Sequence, residues 1–276
     1  MEPVLPILVV DLFPELRQHL SVLLDRLTPQ EWLLPTAARN WNVKDIALHL
    51  LGGDIGILSR CRDLHTLPGP AISTSEDLVV YINRLNASWV EATRRMSSRV
   101  LCDLLAFTGP QVEAYFKSLD PFAAGDAVSW AGPEPAPVWF DLAREYTERW
   151  HHQQQIRDAT RQPGLYDSRL FAPVLDAFVR ALPHTFRNVT GSDEVEVGLT
   201  ISGRLRADWV VRRDAGVWKL FAGASAQPTA HVTLAAEDAW KIFTRAIRGE
   251  QALKCAQISG DPILGSKVLE MVSVIA

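Results

Sequence analysis

The chain has 276 residues, 47% of them hydrophobic, and its 28 Lys and Arg against 32 Asp and Glu leave a formal net charge of -4. That much apolar material builds real cores and excludes disorder, while the acidic balance lacks the basic footprint that duplex nucleic acid requires. Cys61, Cys102 and Cys255 are far apart and odd in number, which fits a reducing cytoplasm, and the proline-broken start never approaches the roughly 18–20 apolar residues of a membrane span.

From Leu12 the series Leu12, Leu16, Leu20, Leu23, Leu27 keeps helical spacing, so one face of a first helix is buried. Thr28-Pro29-Gln30-Glu31 has the form of a capping box and predicts a short turn ending near Leu34. Asn42 caps a second helix from Val43, with Asp45 at its third position, and Val43, Ile46, Leu50 and Ile57 supply its apolar face. A third helix opens at Ser75-Glu76-Asp77 and runs to about Met96. A fourth covers 100–119, where Gly109-Pro110 predicts a kink or a split. Residues 120–137, rich in glycine and proline, form the longest loop, and Pro137 starts a long helix to about 161.

After Gln162 the pattern changes. One more helix (168–186) leads into Val195, Val197, Leu199 and Ile201, alternating with the period of a half-buried strand. Further strands are predicted at 205–212, 217–222 and 229–234, then helices at 236–248 and 262–274. The expected architecture is α followed by α+β: an all-helical domain over 1–162 and a smaller α+β domain over 163–276.

The chemistry-bearing constellation lies in Glu148-Arg149-Trp150-His151-His152 of the long helix. Glu148 and His152 are four apart, so both project from one helix face and can reach a single ion. His49 on the second helix is the candidate third ligand. A carboxylate and two imidazoles suit zinc and other borderline divalent metals, and three protein ligands leave a position for water or substrate. On spacing alone, the pair reads equally as a solvated i, i+4 contact. It flanks the apolar face of Val138, Leu142, Tyr146, Trp150 and Ile156, so two polar stripes either meet at the mouth of a bundle or face water.

Arg39-Asn40-Trp41-Asn42-Val43-Lys44-Asp45, followed by Ala47-Leu48-His49-Leu50, resembles the second-helix signature of the DinB-like metalloproteins, and within them the mycothiol-dependent maleylpyruvate isomerase family. Glu148 to Ala159 resembles that family's second element, Glu-x-x-x-His followed by an Asp three residues on. The resemblance implies a four-helix bundle holding a divalent metal, zinc in the first instance, through His49, Glu148 and His152. It departs at Gln155, which stands where the family has Asp. That position would sit behind a ligand, where an amide hydrogen-bonds but raises ligand basicity less than a carboxylate. The C-terminal residues Pro228 to Leu234, the helix around Trp240, and Ile258-Ser259-Gly260-Asp261 resemble sterol-carrier-protein-like domains appended to this family.

The resemblance implies a metal-dependent isomerase or S-transferase that acts on a small electrophile with mycothiol or another small thiol, the metal lowering the thiol pKa. The competing readings are a carrier of an apolar ligand and a metal-dependent hydrolase on the same bundle. Neither nucleic acid nor membrane is an expected partner, and no catalytic residue is assigned beyond the ligands. His151 is expected to be a solvated neighbour and Asp54 a surface acid. Asp45 is explained by capping, and His19, His65, His184 and His231 lack partners at metal spacing. Arg204, Arg206, Arg212 and Arg213 either bind a substrate carboxylate or line a solvated strand face.

Overall fold

The computed structural model describes residues 1–38, 40–128 and 135–273. By contact they group into two compact units. One comprises Val9–Asp120 and Glu148–Gly164, the other Met1–Leu8, Pro121–Thr147 and Leu165–Ala276.

The helical unit starts with α1 (Phe13–Asp25), whose Pro14 sits in the first turn and whose Phe13, Leu16, Leu23 and Leu24 are buried. Thr28 and Glu31 exchange the reciprocal bonds of a capping box before a single 3-10 turn, Glu31–Leu33. Helix α2 (Val43–Gly56) opens on a second box, Asn42 with Asp45, and continues as a π-helical segment, Ile57–Arg62. Helix α3 (Ser75–Thr93) is capped by Thr74 and α4 (Ser98–Ser118) by Ser97, each such cap contributing about 1 kcal/mol. Of the kink or split expected at Gly109-Pro110, the split does not occur: α4 runs through it. Nearby carbonyls gain side-chain donors, Thr108 to Leu104 and Gln111 to Phe107. Gly109 is needed for another reason, since a Cβ there would lie 2.3 Å from Cδ of the crossing Arg17.

Helix α5 (Val138–Ala159) contributes Glu148 onward to this unit. Ile156 joins Leu23, Leu24, Val43, Ile46, Leu51, Val90 and Leu101 in one core drawn from all five helices. Helices α1, α2, α4 and α5 also line a cavity of about 40 Å³, where apolar Leu16, Leu50 and Val112 meet the ion pairs Arg17–Glu113 and Arg149–Asp54. No helix among the described residues is long and apolar enough to cross a membrane.

The second unit is built on a six-stranded sheet. Strand β1 (Glu2–Pro3) lies at one edge, and β2 (Ala124–Ala127) pairs separately with β3 (Pro135–Pro137) in a two-stranded ribbon. The expected long loop is therefore partly ordered pairing, and its residues 129–134 lie outside those described. The predicted 168–186 helix is two, α6 (Ser168–Val179) and α7 (Leu182–Phe186). Then follow β4 (Glu196–Ser202), β5 (Ala207–Asp214), β6 (Val217–Ala222) and β7 (Ala230–Ala235). After them come α8 (Ala236–Phe243), α9 (Glu250–Cys255), β8 (Ala256–Gly260) and α10 (Pro262–Val268). The order is β1-β6-β5-β4-β7-β8, antiparallel throughout except β4 beside β7. Leu199 pairs with Val232 and Ile201 with Leu234, both pairs buried, and Gly198 and Thr200 between them are covered too, so β4 is enclosed on both faces and not the half-buried strand its alternation suggests.

Candidate metal centre

His49 projects from the middle of α2, whose rotation is set at its start. The Asn42–Asp45 box fixes the first turn, and Asp45 also receives both Nε and Nη2 of Arg94, at 2.9 and 3.0 Å. Asp45 is thus fully engaged as a cap and an ion-pair partner. Glu148 and His152 lie one turn apart on α5. That helix is tied to α2 by Arg149, which donates to Asp54 at 2.8 Å, while Thr108 donates to the same carboxylate at 2.7 Å. Asp54 is correspondingly buried, not the surface acid its sequence context suggests.

The two helices bring the three candidate ligands together. His49 Nε2 lies 3.2 Å and His152 Nε2 2.9 Å from the same oxygen, Glu148 Oε1. The ligand atoms all fall within 4.8 Å of one another. Donors about 2.0–2.1 Å from a tetrahedral zinc stand roughly 3.3 Å apart, close to the two nitrogen–oxygen spacings here, so the cluster has the residue types and approximate spacing of a divalent-ion site. The His49 and His152 rings meet edge to face at 4.6 Å, and the Trp41 ring lies 5.0 Å from that of His49. Glu148 keeps 31% of its side chain exposed, against 12% for His49 and 9% for His152, so solvent reaches the centre along the carboxylate.

The electrostatics agree with a built site. Desolvation works to raise the Glu148 carboxyl, but the facing His152 and His49 rings outweigh it and hold the group well below the usual carboxylate range. Burial opposes a charged His152, yet Glu148 and Gln155 raise its pKa above the ordinary histidine value. His151 goes the other way. It is buried, at 3% exposure, and desolvation together with the neighbouring His152 pushes it down to about 3. The expected solvated neighbour is a neutral interior ring.

Gln155 contacts both histidines, with Oε1 at 2.8 Å from His152 Nδ1 and Nε2 at 3.0 Å from His151 Nε2. The spacing carried that signal: residue 155 is three from 152 and four from 151, so all three share one helix face. Gln153, Gln154 and Gln155 are all nearly inaccessible, so of the two outcomes the helical wheel of α5 left open, the enclosed one holds for these residues.

The other candidates lie elsewhere. Among the described residues, His19, His65, His184 and His231 join no metal-type cluster. His231 Nε2 stands 3.0 Å from the Thr200 hydroxyl on the neighbouring strand. The arginines of β5 and its approach do not converge on an open anion site. Arg206 pairs with Asp208, Arg212 reaches Glu196 at 4.0 Å, and Arg213 holds Asp193 at 2.9 Å.

The family model described as the mycothiol maleylpyruvate isomerase N-terminal domain matches residues 13–157, which include all three candidate ligands. The chain belongs to this family. The crystal structure of the mycothiol-dependent maleylpyruvate isomerase superposes on this family member with a TM-score of 0.52 at 11% identity, covering 91% of each chain. A histidine-to-alanine mutant of that isomerase gives 0.53 with the same identity and coverage. At that identity the likeness establishes a shared fold: helices first, then a mixed sheet. A sterol carrier protein 2 like 2 structure from Aedes aegypti covers 36% of the chain and 95% of its own, at 24% identity and a TM-score of 0.29. No curated protein matches closely enough to count as a relative.

Proposed function

We propose that this family member is a metal-dependent isomerase or S-transferase that uses mycothiol or another small thiol on a small electrophile, with His49, Glu148 and His152 as ligands of a divalent metal such as zinc. The observation that carries the reading is the convergence of two imidazoles and a carboxylate from α2 and α5 on one point that solvent can reach. When bound, the metal would supply the Lewis acidity that keeps a thiol ionised at neutral pH.

The chain's own residues account for the rest. The two histidines and Glu148 neutralise and orient the centre, and Trp41 walls its His49 side with an apolar ring suited to a conjugated substrate. The nucleophile comes from outside: among the described residues no cysteine joins the His49, Glu148 and His152 cluster, and burial pushes the half-buried Cys102 thiol up to about 11. In the isomerase form, the thiolate adds to a carbon–carbon double bond conjugated to a carbonyl. The π pair moves onto the carbonyl oxygen, the new single bond rotates, and expulsion of the thiolate restores the double bond in the other geometry. In the transferase form, the thiol stays on carbon and a leaving group departs with the bonding pair.

We further read α1, α2, α4 and α5 as the four-helix bundle of a DinB-like domain over 1–162, and 163–276 as a sterol-carrier-like domain. The shared cavity of the four helices supports the first reading. The three free cysteines support a reducing, cytoplasmic setting.

The test is metal content and turnover. Protein purified without added metal should carry about one divalent ion per chain, lost in His49→Ala and His152→Ala. The loaded form should convert activated alkenes or aryl halides only when mycothiol, bacillithiol, glutathione or cysteine is supplied. Turnover without any thiol would move the reading to metal-assisted hydrolysis. A loaded chain that binds no thiol but takes up lipid would move it to a carrier.

A further inference from the structure

The six-stranded sheet has two unlike edges. At one, β1 is two residues long and includes Pro3, which blunts it against further pairing. At the other lies β8, Ala256-Gln257-Ile258-Ser259-Gly260, with no charge and no proline. Its pairing with β7 decides which backbone groups are spent. Asp261 N–H donates to the Thr229 carbonyl at 2.9 Å, and the register sets Ser259 against His231 and Gln257 against Thr233. Backbone groups alternate in direction along a strand. Gln257 and Ser259 therefore spend theirs on β7, and those of Ala256, Ile258 and Gly260 point away from the sheet. The Ala256 N–H is itself taken, donated to the Leu253 carbonyl at the end of α9. The Ile258 side chain lies under α10, where a Cβ on Gly265 would come 2.4 Å from its Cγ2, and Gln257 and Ser259 are exposed.

We propose that β8 is the contact edge of a two-fold dimer of this chain, pairing antiparallel with β8 of a second copy about an axis at Ile258, so that the two sheets become one. What remains unspent on this edge is complementary to itself. Across the axis, the Ile258 N–H of each copy donates to the other's Ile258 carbonyl, and each Gly260 N–H donates to the other's Ala256 carbonyl. The donor already used, Ala256 N–H, leaves only the Gly260 carbonyls to water. Gln257 falls opposite Ser259 of the second copy, polar against polar. Leu253 stands five residues before Ile258 and Ile263 five after it, and both are exposed. The axis brings the end of α9 in one copy to the start of α10 in the other, apolar against apolar. Lys254 and Asp261 flank the strand with opposite signs, so antiparallel pairing sets each near its opposite, whereas parallel pairing in register would set like beside like. Main-chain bonds along an edge supply affinity, and the flanking side chains select the partner. A strand edge with two apolar side chains per copy buries less than the roughly 1,200–2,000 Å² of a standard interface, so the dimer is weak, in the micromolar range.

The experiment uses the full-length chain at rising concentration. Sedimentation velocity should show monomer giving way to dimer across the micromolar range. Residue-resolved amide exchange at both ends of that range should show Ile258 and Gly260 gaining protection in the dimer. Gln257 and Ser259, already bonded to β7, should be protected throughout. Leu253→Lys or Ile263→Lys should weaken the dimer about 10-fold or more, because the axis repeats each change. The double variant Leu253→Glu/Ile263→Lys places opposite charges at both contacts and should recover much of that loss. Both residues are on the surface, and thermal unfolding at low concentration checks that every variant is folded as the parent is.

A chain that stays monomeric throughout overturns the proposal. A dimer whose Ile258 and Gly260 amides exchange as they do in the monomer also overturns it, by placing the contact elsewhere. A dimer indifferent to Leu253→Lys and Ile263→Lys does the same. Protection of those amides only by an added extended peptide would give the edge to a foreign strand, and the self-pairing would fall.

Discussion

Burial, reinforced by Asp25 and Asp103, holds the Cys102 thiol at about 11, so it stays protonated through the neutral range. Because the pKa is raised, the reactive thiolate grows only as pH climbs toward that value. Alkylation of Cys102 in the folded chain, followed by site-resolved mass spectrometry, should therefore be slow at pH 8 and accelerate toward pH 11 or on unfolding. Cys102→Ser should leave thiol-dependent turnover intact. Labelling at pH 7 as fast as free cysteine would remove the argument for an external nucleophile. At this scale, the candidate set His49, Glu148 and His152, which the structure brings together, was visible in the sequence through a family resemblance, because i, i+4 spacing and an entry motif are local signals. The burial of His151 and Asp54 was not. A helical wheel gives the angle of a side chain about its own axis and says nothing of which neighbour covers it.

The pairing of α2 with α5 depends on Arg149 and Asp54, whose side chains are 17% and 8% exposed. Arg149 also lies 5.8 Å from the ring centroids of both Phe13 and Phe116, which bracket its charge. Asp54→Ala strands a buried guanidinium and removes the acceptor of Thr108, and breaking such a pair costs about 3–5 kcal/mol. Urea unfolding should show that loss as a lower midpoint with an unchanged slope. Replacing both partners, as Asp54→Leu with Arg149→Met, should recover much of it, because no buried charge is left alone. A single variant within 1 kcal/mol of the parent would mean that the pair does not fix these helices. The elements themselves were legible wherever the chain supplies its own punctuation: the boxes at Thr28 and Asn42 start a turn and a helix as read, and the helix read from Ser75 starts there, with Thr74 as its cap. The uninterrupted α4 and the strand β8 were not. Around Pro110, Thr108 and Gln111 each donate to the carbonyl four residues earlier, Leu104 and Phe107, and β8 exists because β7 offers it a pairing edge.

For the chain as a whole, the proposed ligands His49 and Glu148 stand 99 residues apart in sequence, so the unfolded chain cannot present them as a set. An ion that binds only the folded form adds stability by mass action, about 4 kcal/mol at a thousandfold excess over its Kd. Zinc should therefore raise the thermal midpoint progressively with concentration, and chelation should reverse it. The chain has two compact units, which allows two transitions, and only the one reporting on α2 and the second half of α5 should move. His152→Ala should abolish the dependence, whereas Gln155→Leu should shift it to higher zinc without abolishing it. A midpoint that ignores zinc in the parent chain, measured under conditions where elemental analysis shows one ion bound, would mean that the ion sits at a site already formed in the unfolded ensemble. His49, Glu148 and His152 would then not be its ligands.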